Sequence, residues 1–398
     1  MSVVNPVNIH RYKLFNKTIF KVVCTKYYNS WIFLKIFKFT KYNHNKQSWD
    51  RLTSKHKKEN LLYIDHSLGG GTALYSADKV QKLSEEYDVI ICQYDMFLKK
   101  YVFSAYPDNM FFVTKIFPDN ILDGFNKIII NNLVGYPDLS GVLNIITNAK
   151  NKNAELNIDF MVHDFYCVCP TVHLIKPDLT TCATRDCVVC TKCQKNIVFW
   201  ENMWGRFLNC VADSVIVFSN SSKKMLLSVY PQIDSKIKII PHTITNMRKV
   251  RIKKHDDINI AIIGGLYGIK GQKLVCDMLP FLPKNVNIVH IGEFYGAAPR
   301  HPQFICVGPY DLKTLPDIVE KYAADIAFIA SIVPETFSFT TSECMNMGLP
   351  VACFNIGAPA ERVSKYEYGL IISKMDAKIA LKEILDFVNK IKNGSLNE

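Results

Sequence analysis

Residues 334–343 read PETFSFTTSE, with Glu335 near the start and Glu343 at the end. The stretch follows an apolar run, Ile326 to Ile329, and opens a helix expected to stop near Gly348-Leu349-Pro350. A strand-loop-helix junction gathers unpaired backbone N–H groups and the positive end of a helix dipole at one point, which attracts phosphate. Glu335 falls in the loop. Glu343 is expected about two turns inside the helix, where 3.6 residues per turn returns it to roughly the same face. One carboxylate can then accept hydrogen bonds from sugar hydroxyls and the other from ribose hydroxyls, although two acids at this spacing also occur on plain solvated helices.

Working outward, the sequence alternates β-rich and helical patterns. Strands are expected at Leu61 to Asp65, Val89 to Gln93, Phe111 to Ile116, Lys127 to Leu133 and Leu156 to His163. A second series follows at Ile258 to Ile263, Asn287 to Ile291, Phe304 to Val307 and Asp325 to Ile329. Such alternation argues for parallel sheets covered by helices on both faces. With 398 residues the chain suits two domains rather than one core. The reading is therefore α/β, with two Rossmann-like domains facing across a cleft. Residues 59–242 form the first domain, 243–257 a polar basic linker, and 258–398 the second.

Three glycines, Gly69, Gly70 and Gly71, separate the first strand from an amphipathic helix and let backbone approach a bound diphosphate or sugar. The run is not GxGxxG, which disfavours a nicotinamide cofactor. Gly264 and Gly265 make a corresponding turn after the first strand of the second domain, with Lys270 close enough to neutralise phosphate. A helix-start lysine facing solvent is the bland account of Lys270. His163 and Asp164 fall at a strand end, where a histidine is more often a structural hydrogen-bonding group than a catalytic one.

Hydrophobic residues make up 48% and charged residues 21%, the profile of a globular protein with filled cores. No apolar run reaches the roughly 18 residues of a membrane span, and lysines interrupt every candidate signal-peptide core. A cytoplasmic location is expected. Residues 1–58 hold 13 Lys and Arg against one acid, Asp50, so the net +12 belongs to this arm and the remaining 35 bases and 35 acids cancel. Its aromatics interleave with lysine, which suits an anionic membrane interface; a solvated extension and a nucleic-acid contact are the alternatives. Six of thirteen cysteines lie between Cys167 and Cys193. Four thiolates ending in CxxC suit a structural zinc, with reduced thiols and a redox or iron-sulfur role as the other readings, and Cys167 and Cys187 leave the choice of ligands open.

Glu335-x7-Glu343 in this setting resembles the signature of retaining glycosyltransferases of the GT-B fold, family 4 type. Residues 348–363, GLPVACFNIGAPAERV, and 261–271, AIIGGLYGIKG, are similar to further segments of that family, and the likeness runs from Leu61 to Val388. His163-Asp164 ahead of a Cys-Pro step, with Cys169, Cys182, Cys190 and Cys193 in that spacing, resembles a subset of it. The resemblance implies a nucleotide-diphosphate sugar of UDP, GDP or dTDP type in the second domain. Glu343 would hold its ribose, the backbone N–H groups of Phe337, Ser338 and Phe339 with Lys270 its diphosphate, and Glu335 the sugar hydroxyls. Gly70 and Gly71 would face the cleft, and His163 the transferred sugar. Many members carry arginine where this chain has Gly265, which leaves Lys270 more of the leaving-group charge. No cofactor is implied for the chemistry beyond a structural zinc at the four cysteines. The acceptor would be a saccharide or lipid-linked saccharide, and nucleic acid is not expected. An acceptor-independent nucleotide-sugar epimerase of the same fold, or a zinc-containing nucleic-acid binder, are the competing functions.

Overall fold

The computed structural model describes residues 58–67, 71–107, 111–119, 121–176, 182, 197–244, 246–252 and 254–394. The arm, residues 1–57, lies outside them. The chain divides into two compact units. The first holds the described residues up to His163 together with Met203–Ile216 and Ser235–Lys238. The second holds Val217–Asp234, the described residues between Asp164 and Asn202, and those from Ile239 onward.

The first stretch of chain runs β1 (Glu59–Asp65), α1 (Gly71–Leu83), β2 (Tyr87–Asp95), β3 (Lys100–Tyr106), β4 (Phe111–Thr114), β5 (Lys127–Ile130), α2 (Leu139–Lys152), β6 (Asn157–Met161), α3 (Ile197–Cys210), β7 (Ser214–Val217), α4 (Asn220–Val229) and β8 (Ile237–Ile239). Its sheet has the order β4-β3-β2-β1-β5-β6-β7-β8. β1, β2, β5, β6 and β7 are parallel. Leu61, Leu62, Tyr63 and Ile64 are all fully buried, as a strand covered on both faces requires. One edge departs from the all-parallel expectation: β2 pairs β3 and β3 pairs β4 antiparallel. The reversal is local, since Asp95 Oδ1 accepts from the backbone N–H of Phe97 and Leu98 and turns the chain back on itself.

The second stretch runs β9 (Ile258–Ile263), α5 (Gln272–Met278), β10 (Val286–Ile291), β11 (Phe304–Gly308), α6 (Leu315–Lys321), β12 (Ile326–Ile329), α7 (Phe339–Asn346), β13 (Val351–Phe354), α8 (Gly357–Val363), β14 (Gly369–Ile372) and α9 (Ala377–Lys392). All six strands are parallel, in the order β11-β10-β9-β12-β13-β14. Alternate residues serve opposite faces. Ile258, Ile260 and Ile262 pack with Phe328, Phe354 and the inner side of α5 and α9, through Val275, Met278, Leu381 and Ile384. Ala261 and Ile263 pack with Val351, Cys353 and the inner side of α6, α7 and α8, through Val319, Cys344 and Val363. Each large aliphatic so buried contributes about 1.5–3 kcal/mol, so the central strands are the rigid part on which loops can be held. No described helix is long and apolar enough to cross a membrane.

Candidate functional site

Numbered within itself, the second sheet has strand order 3-2-1-4-5-6, and its winding reverses between β9 and β12. Ligands of open parallel sheets lie beyond the carboxyl ends of the strands at such a point. Gly264 and Gly265 leave β9 there, and the loop carrying Glu335 leaves β12. Gly264 lies against α7, where a Cβ built on it would stand 3.7 Å from Thr340 Oγ1.

Lys270 and Glu335 are brought together by backbone contacts between these two loops. Ile332 N donates to Ile269 O at 3.0 Å. Gly271 approaches Ala330 so closely that a Cβ would sit 2.0 Å from its carbonyl oxygen, and its φ of +81° is left-handed. Lys270 Nζ then meets Glu335 Oε1 at 2.9 Å. Burial alone would raise the Glu335 carboxyl, but the Lys270 charge, together with hydrogen bonds from Ser331, Lys270 and Ser338, outweighs it and holds the group below its usual range. Burial would lower Lys270, and Glu335 holds the ammonium above its ordinary value. The pair is therefore ionised, each partner stabilising the other's charge.

The main chain of Glu335 is held from the far side. Ala358 N donates to Glu335 O at 2.9 Å, and Gly357, at φ +65°, leaves no room for a Cβ, which would stand 2.7 Å from Glu335 N. Arg362, one turn further along α8, clamps the start of α7. Its Nη2 donates to Ser338 O at 3.0 Å, its Nη1 meets the Ser342 hydroxyl, and its guanidinium lies 4.3 Å from the centre of the Phe337 ring. Burial pushes this guanidinium down to about 10. His242 stacks between Phe218 and Phe339, at 3.8 and 4.8 Å, and meets Phe337 edge-on. Burial first, and Arg362 second, push its imidazole down to about 4. Ser338 is held at φ +66°, and among the described residues the backbone N–H groups of Phe337, Ser338 and Phe339 meet no acceptor.

Glu343 lies a little over one turn inside α7, which begins at Phe339, rather than the two turns expected. It is 7% exposed, and burial pushes its carboxyl up to about 7. Tyr310, beyond β11, has its phenol raised by burial and then by the Glu343 charge, so the two are neighbours. His173 was not singled out from the sequence. Burial lowers its imidazole, with Lys270 acting in the same direction and Asp164 and Glu335 against it, so it shares the field of the Lys270–Glu335 pair. Nothing in the charge pattern marks Arg362 or His173; only the fold brings them to α7 and Lys270.

In the first unit β1, β5 and β6 are adjacent, so residues at their carboxyl ends stand side by side. His163 Nε2 lies 2.7 Å from Asn131 Oδ1, and Asn131 Nδ2 donates to Asp65 Oδ1 at 2.9 Å. Burial raises the Asp65 carboxyl, opposed by the His66 charge and by hydrogen bonds from Ser76 and Asn131. Asp65 and Asn131 are buried polar residues that the sequence reading missed; a polar residue closing an apolar strand is the signal that points to them. Asp164 Oδ1 accepts from Tyr166 N at 2.8 Å and so shapes the turn after His163. Gly71 is the first residue of α1, and Gly70 lies outside the described residues. Cys169 is buried with its Sγ 3.1 Å from the Thr171 hydroxyl, and Cys182 is half-buried, while Cys190 and Cys193 lie outside the described residues. Among the described residues no group of three or more His, Cys, Asp or Glu is set to hold a metal ion.

Residues 257–390 match the family model described as glycosyl transferases group 1. The match lies within the second unit. No curated protein sequence matches the chain. Among solved structures, HepE of Anabaena in complex with UDP is similar at 14% identity and TM-score 0.55, over 85% of this chain and 91% of that one. A sucrose-phosphate synthase of Thermosynechococcus elongatus is similar at 14% identity and TM-score 0.55, over 85% and 94%. The lipopolysaccharide outer core galactosyltransferase WaaB, in its apo form, follows at 12% identity and TM-score 0.53, over 85% and 91%. At these identities the likeness shows the fold, which is GT-B. The group 1 match contains Gly264, Gly265, Lys270, Glu335, Phe337, Ser338, Phe339 and Glu343, and His163 lies outside it.

Proposed function

We propose that the protein is a glycosyltransferase that moves a sugar from a nucleotide-diphosphate sugar to a saccharide or lipid-linked saccharide acceptor. The observation that carries this is the ionised Lys270–Glu335 pair beside the amides that open α7, at the winding reversal of a group 1 domain. Lys270 and the N–H groups of Phe337, Ser338 and Phe339 take the diphosphate, whose charge grows as the glycosidic bond breaks. Preorganised donors and cations aimed at that charge are the main term in such catalysis. The turn at Gly264 and Gly265 lets backbone approach the same phosphates. Glu335 accepts hydrogen bonds from the sugar, and Glu343 from the ribose. Solved HepE complexes holding UDP and UDP-glucose support a uridine nucleotide as the first donor to try.

His163 meets the transferred sugar in this reading. Transfer proceeds with retention of anomeric configuration, as the family resemblance implies, in glycan or polysaccharide assembly. The arm holds the enzyme peripherally on an anionic membrane surface, and Cys169, Cys182, Cys190 and Cys193 hold a structural zinc.

A thermal-shift screen against UDP, GDP, dTDP and their sugars selects the donor, which then enters a turnover assay with and without saccharide acceptors. Free nucleoside diphosphate formed only when acceptor is present supports transfer. An epimerised donor formed without acceptor would assign the protein to the epimerases instead.

A further inference from the structure

Behind His163 lies a set of polar side chains whose hydrogen bonds are all accounted for. Asn131 Nδ2 donates one hydrogen to Asp65 Oδ1 at 2.9 Å and the other to Ser76 Oγ at 3.0 Å. A carboxamide nitrogen carries two hydrogens, so none remains for a third acceptor. Ser76 Oγ donates to Asp65 Oδ2 at 2.7 Å and accepts from the Tyr63 hydroxyl at 3.4 Å. Asp65 Oδ1 also takes the backbone N–H of His66 at 2.8 Å. Turning the amide over would set its oxygen against the Asp65 carboxylate and forfeit both N–H bonds. That is costly where Asp65, Ser76 and Asn131 are 2%, 8% and 0% exposed. The atom that meets His163 Nε2 at 2.7 Å is therefore the Asn131 oxygen, which can only accept.

We propose that Asp65 and Asn131 are positioning residues that keep a proton on Nε2 of His163, so that the lone pair of the neutral ring is on Nδ1. The Tyr75 ring, 4.9 Å from the imidazole, packs against it and limits its rotation. A lone pair on Nδ1 accepts a hydrogen bond, which suits a hydroxyl-bearing ligand such as a saccharide and not a phosphate oxygen. This consequence for the substrate rests on the reading that His163 takes part in transfer; the position of the proton does not.

The test is the nitrogen-15 spectrum of the full chain labelled at histidine, with the His163 signals assigned by His163→Gln. Above the pH at which the ring titrates, the wild type gives a protonated Nε2 and a lone-pair Nδ1, and Asn131→Ala gives a mixture of tautomers. A proton on Nδ1 in the wild type, which needs no variant to read, overturns the proposal, as does an unchanged tautomer in a folded Asn131→Ala protein. Transfer by His163→Ala is assayed separately. Full turnover there with the Nε2 proton in place removes the histidine from the reaction and leaves the proton assignment standing.

Discussion

Lys270 and Glu335 each occupy the other's charge, and that sets the cost of admitting a diphosphate. A ligand must draw Lys270 from a partner 2.9 Å away. Glu335→Gln releases the ammonium, so nucleoside diphosphate binding should tighten by about 1 kcal/mol, roughly fivefold, while transfer falls by a hundredfold or more through the lost sugar contact. Lys270→Ala should weaken the same binding by about 1.5–3 kcal/mol. Isothermal titration of both variants separates the two residues, and equal losses in both would contradict their different roles. Glu343 makes a prediction about pH. Its carboxyl stands at about 7 in the folded protein against 4.5 for an ordinary glutamate. The folded state therefore binds more protons than the unfolded state between those values, and stability falls as pH rises from about 4.5 through 7, by roughly 3 kcal/mol. Denaturant unfolding at several pH values should show this slope in the wild type and not in Glu343→Gln. The two acids were legible from the sequence because their spacing survives in one short segment. Arg362, His173, Asp65 and Asn131 were not, because each acts through a neighbour far away in the chain.

At the scale of elements, the site depends on how closely two loops approach. Gly271 has its Cβ position filled by the Ala330 carbonyl, whereas nothing lies within 4 Å of the same position on Gly268, three residues earlier in the same turn. Gly271→Ala should cost about 1–3 kcal/mol of stability and shift Lys270 away from Glu335, while Gly268→Ala should change stability by less than about 1 kcal/mol. Thermal unfolding of the pair, with nucleotide binding as the second readout, checks it. The main strands were readable because runs such as Leu61 to Ile64 and Ile260 to Ile263 are apolar on both faces. β3 was missed because its pairing depends on a turn made by one aspartate side chain. The start of α7 was misjudged because Ser338 has a left-handed backbone conformation that delays the helix to Phe339.

At the scale of the whole molecule, the two sheets and the group 1 match cover the body of the chain, while the net charge of +12 resides in the arm. Sedimentation with anionic vesicles should carry down the full chain and leave most of a form lacking residues 1–58 in solution, with binding lost at high salt. Equal binding by both forms would detach the arm from the membrane proposal without touching the site. The central claim is that one place in the second unit neutralises the diphosphate of an activated sugar. A crystal structure with the sugar nucleotide selected by thermal shift tests it most directly. The account predicts the diphosphate against Lys270 and the amides of Phe337, Ser338 and Phe339, with the sugar hydroxyls on Glu335 and the ribose on Glu343. A nucleotide bound elsewhere, with Lys270 and Glu335 still paired to each other, would contradict it.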